Sequence, residues 1–169
     1  MILSDYRFSP AVRRTVRALV PVICPPEVEE LGLVDAVVAQ AELFVRSLAP
    51  EARYGLVAGY RSFELLAATR PAQLGRTFSA LPKGAARAYF DAWWNSPLGP
   101  ARSLAMGMKS PIAIGYYELP EVQARMGYAA QGWMDRVRQE RRDRFGEVIA
   151  RHEAELVAPN PLVSGRERR

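Results

Sequence analysis

The sequence has few of the residues that form metal sites or nucleophilic sites. It contains one histidine, His152, and one cysteine, Cys24, among 169 residues. A single cysteine allows no disulfide within the chain, and a metal site usually needs several His, Cys or carboxylate ligands at close spacing. Cys24 stands at a predicted helix end, whereas a thiolate is stabilised at a helix start. We therefore expect no metal site, an unreactive thiol and a structural role for His152.

Long apolar runs are also missing. No segment reaches the roughly 20 apolar residues that a membrane helix requires. The N-terminal region carries Asp5 and then Arg13, Arg14 and Arg17, and only a short apolar run follows before Pro25. A secretory signal needs a longer uninterrupted apolar region. We therefore expect a cytoplasmic chain with no direct membrane insertion.

Motifs that bind phosphate or activate a nucleophile are not found either. The chain has neither a G-x-S-x-G elbow nor a G-x-G-x-x-G turn. Three acids, Glu64, Asp91 and Glu118, interrupt apolar neighbourhoods, and each is either functional or paired with one of the many arginines. No residue is predicted to be catalytic or to bind a cofactor or a metal.

The charge pattern argues against a nucleic-acid partner. The formal net charge is +5, and 21 of the 23 basic residues are arginine because only Lys83 and Lys109 are lysine. From Asp135 to Glu155, however, six arginines are balanced by six acids. Phosphate binding requires a local surplus of positive charge. A mixed segment of this kind is typical of a solvated helix face.

Hydrophobic periodicity indicates an all-α protein. Apolar residues recur at three- and four-residue spacing through most of the chain, which predicts amphipathic helices. Proline and glycine predict the ends, and Pro111 predicts a kink or a break in one helix. The predicted helices are 10–22, 33–48, 50–70, 82–94, one from 101 that meets Pro111, a short turn from 120, and 133–157. We expect an irregular single-domain bundle of about five to seven helices over residues 1–157, with a long charged C-terminal helix and a disordered tail at 158–169.

Aromatic residues are concentrated in one part of the chain. Eight of the sixteen, including all three tryptophans, lie between Tyr89 and Trp133. Four of the five methionines lie in or beside the same segment. Tyr, Trp and Met are enriched at protein–protein interfaces, although they also form ordinary cores. Both interpretations remain open at this point.

The order of landmarks resembles a known family. Phe78-Ser79-Ala80-Leu81 precedes a helix that carries Arg87, and further landmarks follow over the next forty or so positions. These landmarks are Trp93, Ser96-Pro97, Arg102, Lys109, Tyr116-Tyr117, Pro120 and Gly127-Tyr128. The first half contributes Arg14, Val16, Leu19, Pro21 and Leu31-Gly32-Leu33-Val34. Over residues 10–130 the chain resembles the gluconate 2-dehydrogenase subunit 3-like family of small subunits, which accompany flavin-dependent glucose–methanol–choline (GMC) oxidoreductases.

The resemblance implies a helical, non-catalytic small subunit. Such a subunit would bind and stabilise, as a chaperone-like accessory in a hetero-oligomer, a large flavoprotein that acts on a sugar, glycoside, alcohol or sterol. FAD would belong to that partner, and this chain would bind no cofactor. Aromatic side chains on proline-bounded turns lose little entropy on docking, so they make good anchors. The interface residues expected on this basis are Trp93, Trp94, Pro97, Arg102, Tyr116, Tyr117 and Tyr128.

Two alternatives belong to other functional classes. A stand-alone helical enzyme would have an enclosed apolar pocket that holds a perturbed acid such as Asp91 or Glu118. A helical DNA-binding regulator would present one basic face. Exposed contiguous aromatic residues would instead favour the accessory subunit.

Overall fold

The computed structural model describes residues 6–73, 75–128 and 130–155. Within these residues the chain forms eight α-helices and two short 3-10 turns, with no β-strand, which confirms the all-α prediction. The chain divides into two compact units, one before and one after the Met126–Gly127 boundary. The tail predicted at 158–169 lies outside the described residues.

The first unit contains seven of the helices. They are α1 (Pro10–Ile23), α2 (Glu27–Glu30), α3 (Val34–Ser47), α4 (Pro50–Ala68), α5 (Lys83–Trp94), α6 (Gly99–Tyr117) and α7 (Pro120–Arg125). The 3-10 turns Pro71–Gln73 and Phe78–Ala80 connect α4 to α5. The second unit contains α8 (Ala130–Glu155).

Several helix starts follow from local sequence. The Ser9 side chain accepts a hydrogen bond from the Val12 N–H at 3.4 Å, and Pro10 occupies the first turn of α1, where a missing N–H does no harm. Pro50 and Pro120 likewise occupy the first turns of α4 and α7, which have no side-chain cap. These starts agree with the sequence prediction.

Two local features differ from the prediction. The short helix α2 is not predicted by the periodicity, and Gly32, with φ of 65°, takes the left-handed conformation that is common just after a helix end. Pro111 does not break α6, although its ring removes one backbone hydrogen bond. Pro111 is buried in the core, so tertiary packing holds this helix together against the local cost.

The core of the first unit lies between α1, α3, α4, α5 and α6, and the most extensive packing joins α3 to α6. Gly115 of α6 makes this packing close. A Cβ atom at Gly115 would lie 2.9 Å from Cβ of Gln40 and 3.2 Å from the backbone nitrogen of Ala41. The two helix backbones can approach this far only because residue 115 has no side chain.

One carboxylate joins three elements of the first unit. Glu64 on α4 accepts hydrogen bonds from the Thr15 hydroxyl of α1 at 3.1 Å and from the Ser79 hydroxyl at 2.5 Å. The Ser79 N–H also donates to it at 3.1 Å. The hydrogen-bond donors to Glu64 are therefore two hydroxyls and a backbone amide, which gives this acid a structural role. The sequence had predicted either a functional role or an arginine partner.

The second unit is represented by one long helix. Between Gly132 and Ala154 no described side chain of α8 is buried. None of the helices in the described part of the chain has both the length and the apolar character needed to cross a membrane.

The substitution Gly115→Ala tests the close packing of α3 and α6. We expect it to lower the free energy of unfolding by about 1–3 kcal/mol, because the added methyl group must push two backbones apart. Urea denaturation followed by circular dichroism measures the change.

Gly107→Ala in the same helix is the matched control. Its added Cβ would meet only Leu56 Cδ1 at 3.8 Å, an ordinary van der Waals distance. Alanine is favoured over glycine in a helix by up to about 1 kcal/mol, so this variant should be as stable as the parent chain or more stable. Equal stability of the two variants would show that the packing at Gly115 has room to relax.

Glu64→Ala tests the acid that links α1, α4 and the turn Phe78–Ala80. We expect a loss of about 2 kcal/mol, because hydrogen bonds to a charged group contribute roughly 1.5–3 kcal/mol. Asp91→Ala removes an exposed acid from α5 and should change stability by less than about 0.5 kcal/mol. A loss at Glu64 no larger than that at Asp91 would contradict the structural role.

Candidate docking groove

A groove crosses the surface of the first unit beside the C-terminal end of α6. The chain leaves α1 at Cys24 and cannot continue as a helix through Pro25 and Pro26, so it turns past Tyr116 and Tyr117. A cavity of about 430 Å³ and a second of about 230 Å³ border the two tyrosines. Both cavities are lined by Pro25, Tyr116 and Tyr117, so they are neighbours on the surface, and we call the pair the docking groove.

The two adjacent tyrosines have different roles in this groove. Tyr116 is only 7% exposed and belongs to the core, whereas Tyr117 is 51% exposed. Their rings meet edge to face with centroids 5.1 Å apart. The buried ring thus supports the exposed one at the edge of the groove.

Positive charge surrounds the groove. Arg87 from α5 and Lys109 from α6 line the larger cavity, and Arg125 from α7 lines the smaller one. The acid among the lining residues is Glu27. The Lys109 Nζ atom also lies 4.6 Å from the centroid of the Trp94 ring, a cation–π distance. The charged lining residues therefore give a net charge of 3 − 1 = +2.

The structure separates the residues that the sequence grouped as an interface. Tyr117 lines the groove as an exposed side chain. Trp94 does not line the groove itself, but its ring contacts Lys109, which does. Tyr116 also lines the groove but is buried, so it supports the surface and does not itself offer an exposed anchor. Its expected role at an interface therefore stays a prediction, with the ring placed behind the surface and not on it.

The two tryptophans of α5 are both half-buried and both pack against the core. The Trp93 ring centroid lies 5.3 Å from that of Phe63 and 6.2 Å from that of Tyr89, in edge-to-face geometry. The Trp94 ring stacks on the buried Phe90 ring at 6.2 Å. Trp94 differs from Trp93 in its contact with Lys109, a residue that lines the groove.

The other predicted interface residues lie away from this groove or outside the first unit. Pro97 and Arg102 are exposed near the start of α6, where the Arg102 Nη1 atom donates to the Ser96 carbonyl at 2.6 Å. Arg102 thereby secures the turn before the helix. Tyr128 is 60% exposed and belongs to the second unit.

Some lining residues are not recognisable in the sequence. Pro25 is identified there only as a helix end, and Leu31 and Met126 are not singled out as interface residues, yet all three line the groove. Leu31 and Met126 are also exposed. Pro25 and Leu31 flank α2 and Met126 follows α7, so only the fold brings these two parts of the chain together.

The Cys24 thiol faces the larger cavity but is almost fully buried. Burial disfavours the thiolate and raises the pKa of Cys24 to about 12. The thiol is therefore protonated at neutral pH, which agrees with the unreactive thiol expected from its position after a helix.

The acids considered for catalysis do not meet at the groove. Asp91 and Glu118 are exposed, and neither lines it. His152 is exposed on α8. Among the residues that the structure describes, no group of three His, Cys, Asp or Glu side chains is placed to hold a metal ion.

A second depression of about 410 Å³ lies beside α1 and carries charges of both signs. Arg14, Arg17 and Glu29 line it. Arg17 forms an ion pair with Asp35, and Glu29 forms one with Lys83. Because Arg17 and Glu29 are each paired, this surface offers less net attraction to an anion than its arginine content suggests.

Comparisons with protein-family models, with curated proteins and with solved structures found no match to this chain.

Alkaline titration tests the environment of Cys24. The pKa of this thiol is higher in the folded chain than in the unfolded chain. The thiol therefore stabilises the fold fully at pH values below its unfolded pKa, and this stabilisation is lost as pH rises toward the folded pKa. We therefore expect the free energy of unfolding to fall between about pH 9 and pH 12, and to fall less in Cys24→Ala. At pH 8 a thiol-specific disulfide reagent should label the folded chain far more slowly than the chain in guanidinium chloride. Equal labelling rates would show that the thiol is accessible.

Proposed function

We propose that this chain is a non-catalytic accessory subunit that binds another protein through the docking groove. The observation that carries the proposal is the exposed Tyr117 ring, held at the groove edge by buried Tyr116 and surrounded by basic side chains. Protein interfaces are typically centred on a few aromatic anchors in well-packed surroundings.

The geometry of Tyr117 suits an anchor. The residue lies at the last position of α6, directly after Gly115 and Tyr116, which are fixed in the core. A side chain on such a rigid support loses little conformational entropy when a partner covers it. Leu31 and Met126 add exposed apolar area beside it in the smaller cavity.

The charges suggest which kind of segment the groove accepts. Arg87, Lys109 and Arg125 face one acid, Glu27, so a partner segment with carboxylates beside an apolar or aromatic side chain would match both features. Complementary charge of this kind increases the association rate and the specificity more than the affinity.

The family resemblance proposes the class of the partner. Four of its landmarks, Arg87, Lys109 and Tyr116-Tyr117, line the docking groove. On this basis the proposed partner is the large FAD-dependent subunit of a GMC-type oxidoreductase acting on a sugar, glycoside, alcohol or sterol. FAD binding and hydride chemistry would then belong to the partner.

The cytoplasmic location expected from the sequence is part of the same proposal, and fractionation of cells that express a tagged chain would test it.

Purification of the tagged chain from its native host tests the proposal directly. We expect a large protein with the visible absorbance of a flavin to copurify. Tyr117→Ala should lower the copurified flavin about tenfold or more, since truncation of an aromatic anchor costs roughly 2 kcal/mol or more. Arg87→Glu should lower it too, and the loss should grow as the salt concentration falls, because the repulsion is then less screened.

Tyr54→Ala is the matched control. Tyr54 lies on α4, is 68% exposed and does not line the groove. This variant should retain the parent level of flavin. If the copurified protein contains no flavin, the proposed class of partner is wrong. If Tyr117→Ala and Tyr54→Ala recover the same amount of flavin, the partner does not bind through the docking groove.

A further inference from the structure

The two sides of helix α8 differ in both hydrophobicity and charge. Successive helix residues are about 100° apart, so the residues within about 80° of Arg141 share one side of α8, which we call the apolar–basic face. Its larger apolar side chains are Trp133, Met134, Val137, Phe145, Val148 and Ile149. Trp133, Phe145, Val148 and Ile149 are each 45–60% exposed. This face therefore leaves a large apolar area in contact with water.

Arginine is concentrated on the same side. Four of the six arginines of α8 fall on the apolar–basic face, and they are Arg138, Arg141, Arg144 and Arg151. By its position at the end of the helix, Glu155 is the one acid of α8 on that side. The opposite side carries Arg136 and Arg142 with five acids, which are Asp135, Glu140, Asp143, Glu147 and Glu153. The formal charges are therefore 4 − 1 = +3 and 2 − 5 = −3, with His152 neutral, and a count along the sequence gives zero because it adds the two sides together.

Most of the positive charge on the apolar–basic face is not neutralised within the helix. Arg138 forms an ion pair with Asp135, with 3.6 Å between Nη1 and Oδ1. Arg141, Arg144 and Arg151 form no ion pair with any acid whose side chain the structure describes. The Arg144 guanidinium lies over the Phe145 ring, 5.2 Å from its centroid. Positive charge and aromatic side chains are thus presented together.

These two features together point to the chemistry of the occupant. A second copy of the same face would bring positive charge against positive charge. A nucleic acid would supply phosphates for the arginines, but it offers no hydrocarbon in which Val137, Val148 and Ile149 leave water. A bilayer that contains anionic lipids supplies both, because its phosphates lie directly over the hydrocarbon.

We propose that α8 lies along the surface of an anionic lipid bilayer, with the apolar–basic face toward the lipid. Trp133 and Phe145 enter the boundary between headgroups and hydrocarbon, where aromatic rings are favoured. The Arg141 guanidinium reaches the headgroups from the middle of the face, because the arginine stem can lie along apolar surface while its charge stays in the polar layer. The acidic side of α8 then faces water, away from headgroups of the same sign. The helix lies on the bilayer and does not span it.

Cosedimentation of the purified full-length chain with lipid vesicles tests the proposal. We expect binding to vesicles of phosphatidylcholine with about one third phosphatidylglycerol, and at least about tenfold weaker binding to phosphatidylcholine alone, because each arginine near an anionic surface strengthens binding roughly fivefold. A single acyl chain binds half-maximally at about 0.1 mM lipid. A chain that stays unbound up to about 1 mM anionic lipid would therefore overturn the proposal, as would equal affinity for the two kinds of vesicle.

A matched pair of charge reversals tests which side of α8 meets the lipid. Arg141→Glu and Arg136→Glu change the net charge of the chain equally, but only Arg141 lies on the apolar–basic face. We expect Arg141→Glu to weaken binding at least about tenfold, since it replaces an attraction with a repulsion. Arg136→Glu should weaken it less than about threefold, because residue 136 is farther from the lipid and better screened by salt. Circular dichroism checks that both variants remain helical, and equal losses of binding would contradict the proposed orientation.

The apolar residues have a test of their own. Phe145→Ala should weaken vesicle binding several-fold, because less apolar area leaves water. Ala150→Ser, on the opposite side of α8, is the control and should bind as the parent chain does. If Phe145→Ala binds as tightly as Ala150→Ser, or if the chain binds duplex DNA but no vesicles, the lipid is not the occupant.

The docking groove is also basic, so it needs a separate control. Arg87→Glu removes positive charge from the groove and leaves α8 unchanged. This variant should keep vesicle binding within about threefold of the parent chain. A loss as large as that of Arg141→Glu would show that the groove, and not α8, meets the lipid. The lipid test and the flavoprotein test therefore give separate answers.

Discussion

The first unit depends on the close approach of α3 and α6 at Gly115. A methyl group at this position would collide with Gln40 and with the backbone of α3. These two helices share the most extensive packing in the core. The distance between the α3 and α6 backbones therefore affects where the ends of both helices lie. Interiors are packed as densely as organic crystals, so a shift at one such place is transmitted to its neighbours.

This close approach also positions the docking groove. Tyr116 and Tyr117 directly follow Gly115 in the last turn of α6, so the same packing that holds the glycine fixes both rings. Successive helix residues point about 100° apart, which explains why one ring is buried and the next is exposed. The Pro25 turn approaches the same helix end and closes the other side of the groove. Core packing and the candidate interface are therefore parts of one arrangement.

The helices could largely be predicted from the sequence, because periodicity and capping residues act locally. Ser9, Pro50 and Pro120 mark helix starts that the structure contains. The continuity of α6 through Pro111 was not predictable in this way, since packing against other helices outweighs the missing hydrogen bond. The groove was predictable only in part. Tyr117 was identified by its residue type, but the burial of Tyr116 beside it depends on long-range packing.

The charge of the docking groove bears on the kind of partner proposed for it. Its charged lining residues carry a surplus of positive charge, so two grooves would repel each other, and a different chain with carboxylates is the better complement. A surface with charge of mainly one sign is not its own complement under a two-fold rotation, so it favours a different partner over a second copy.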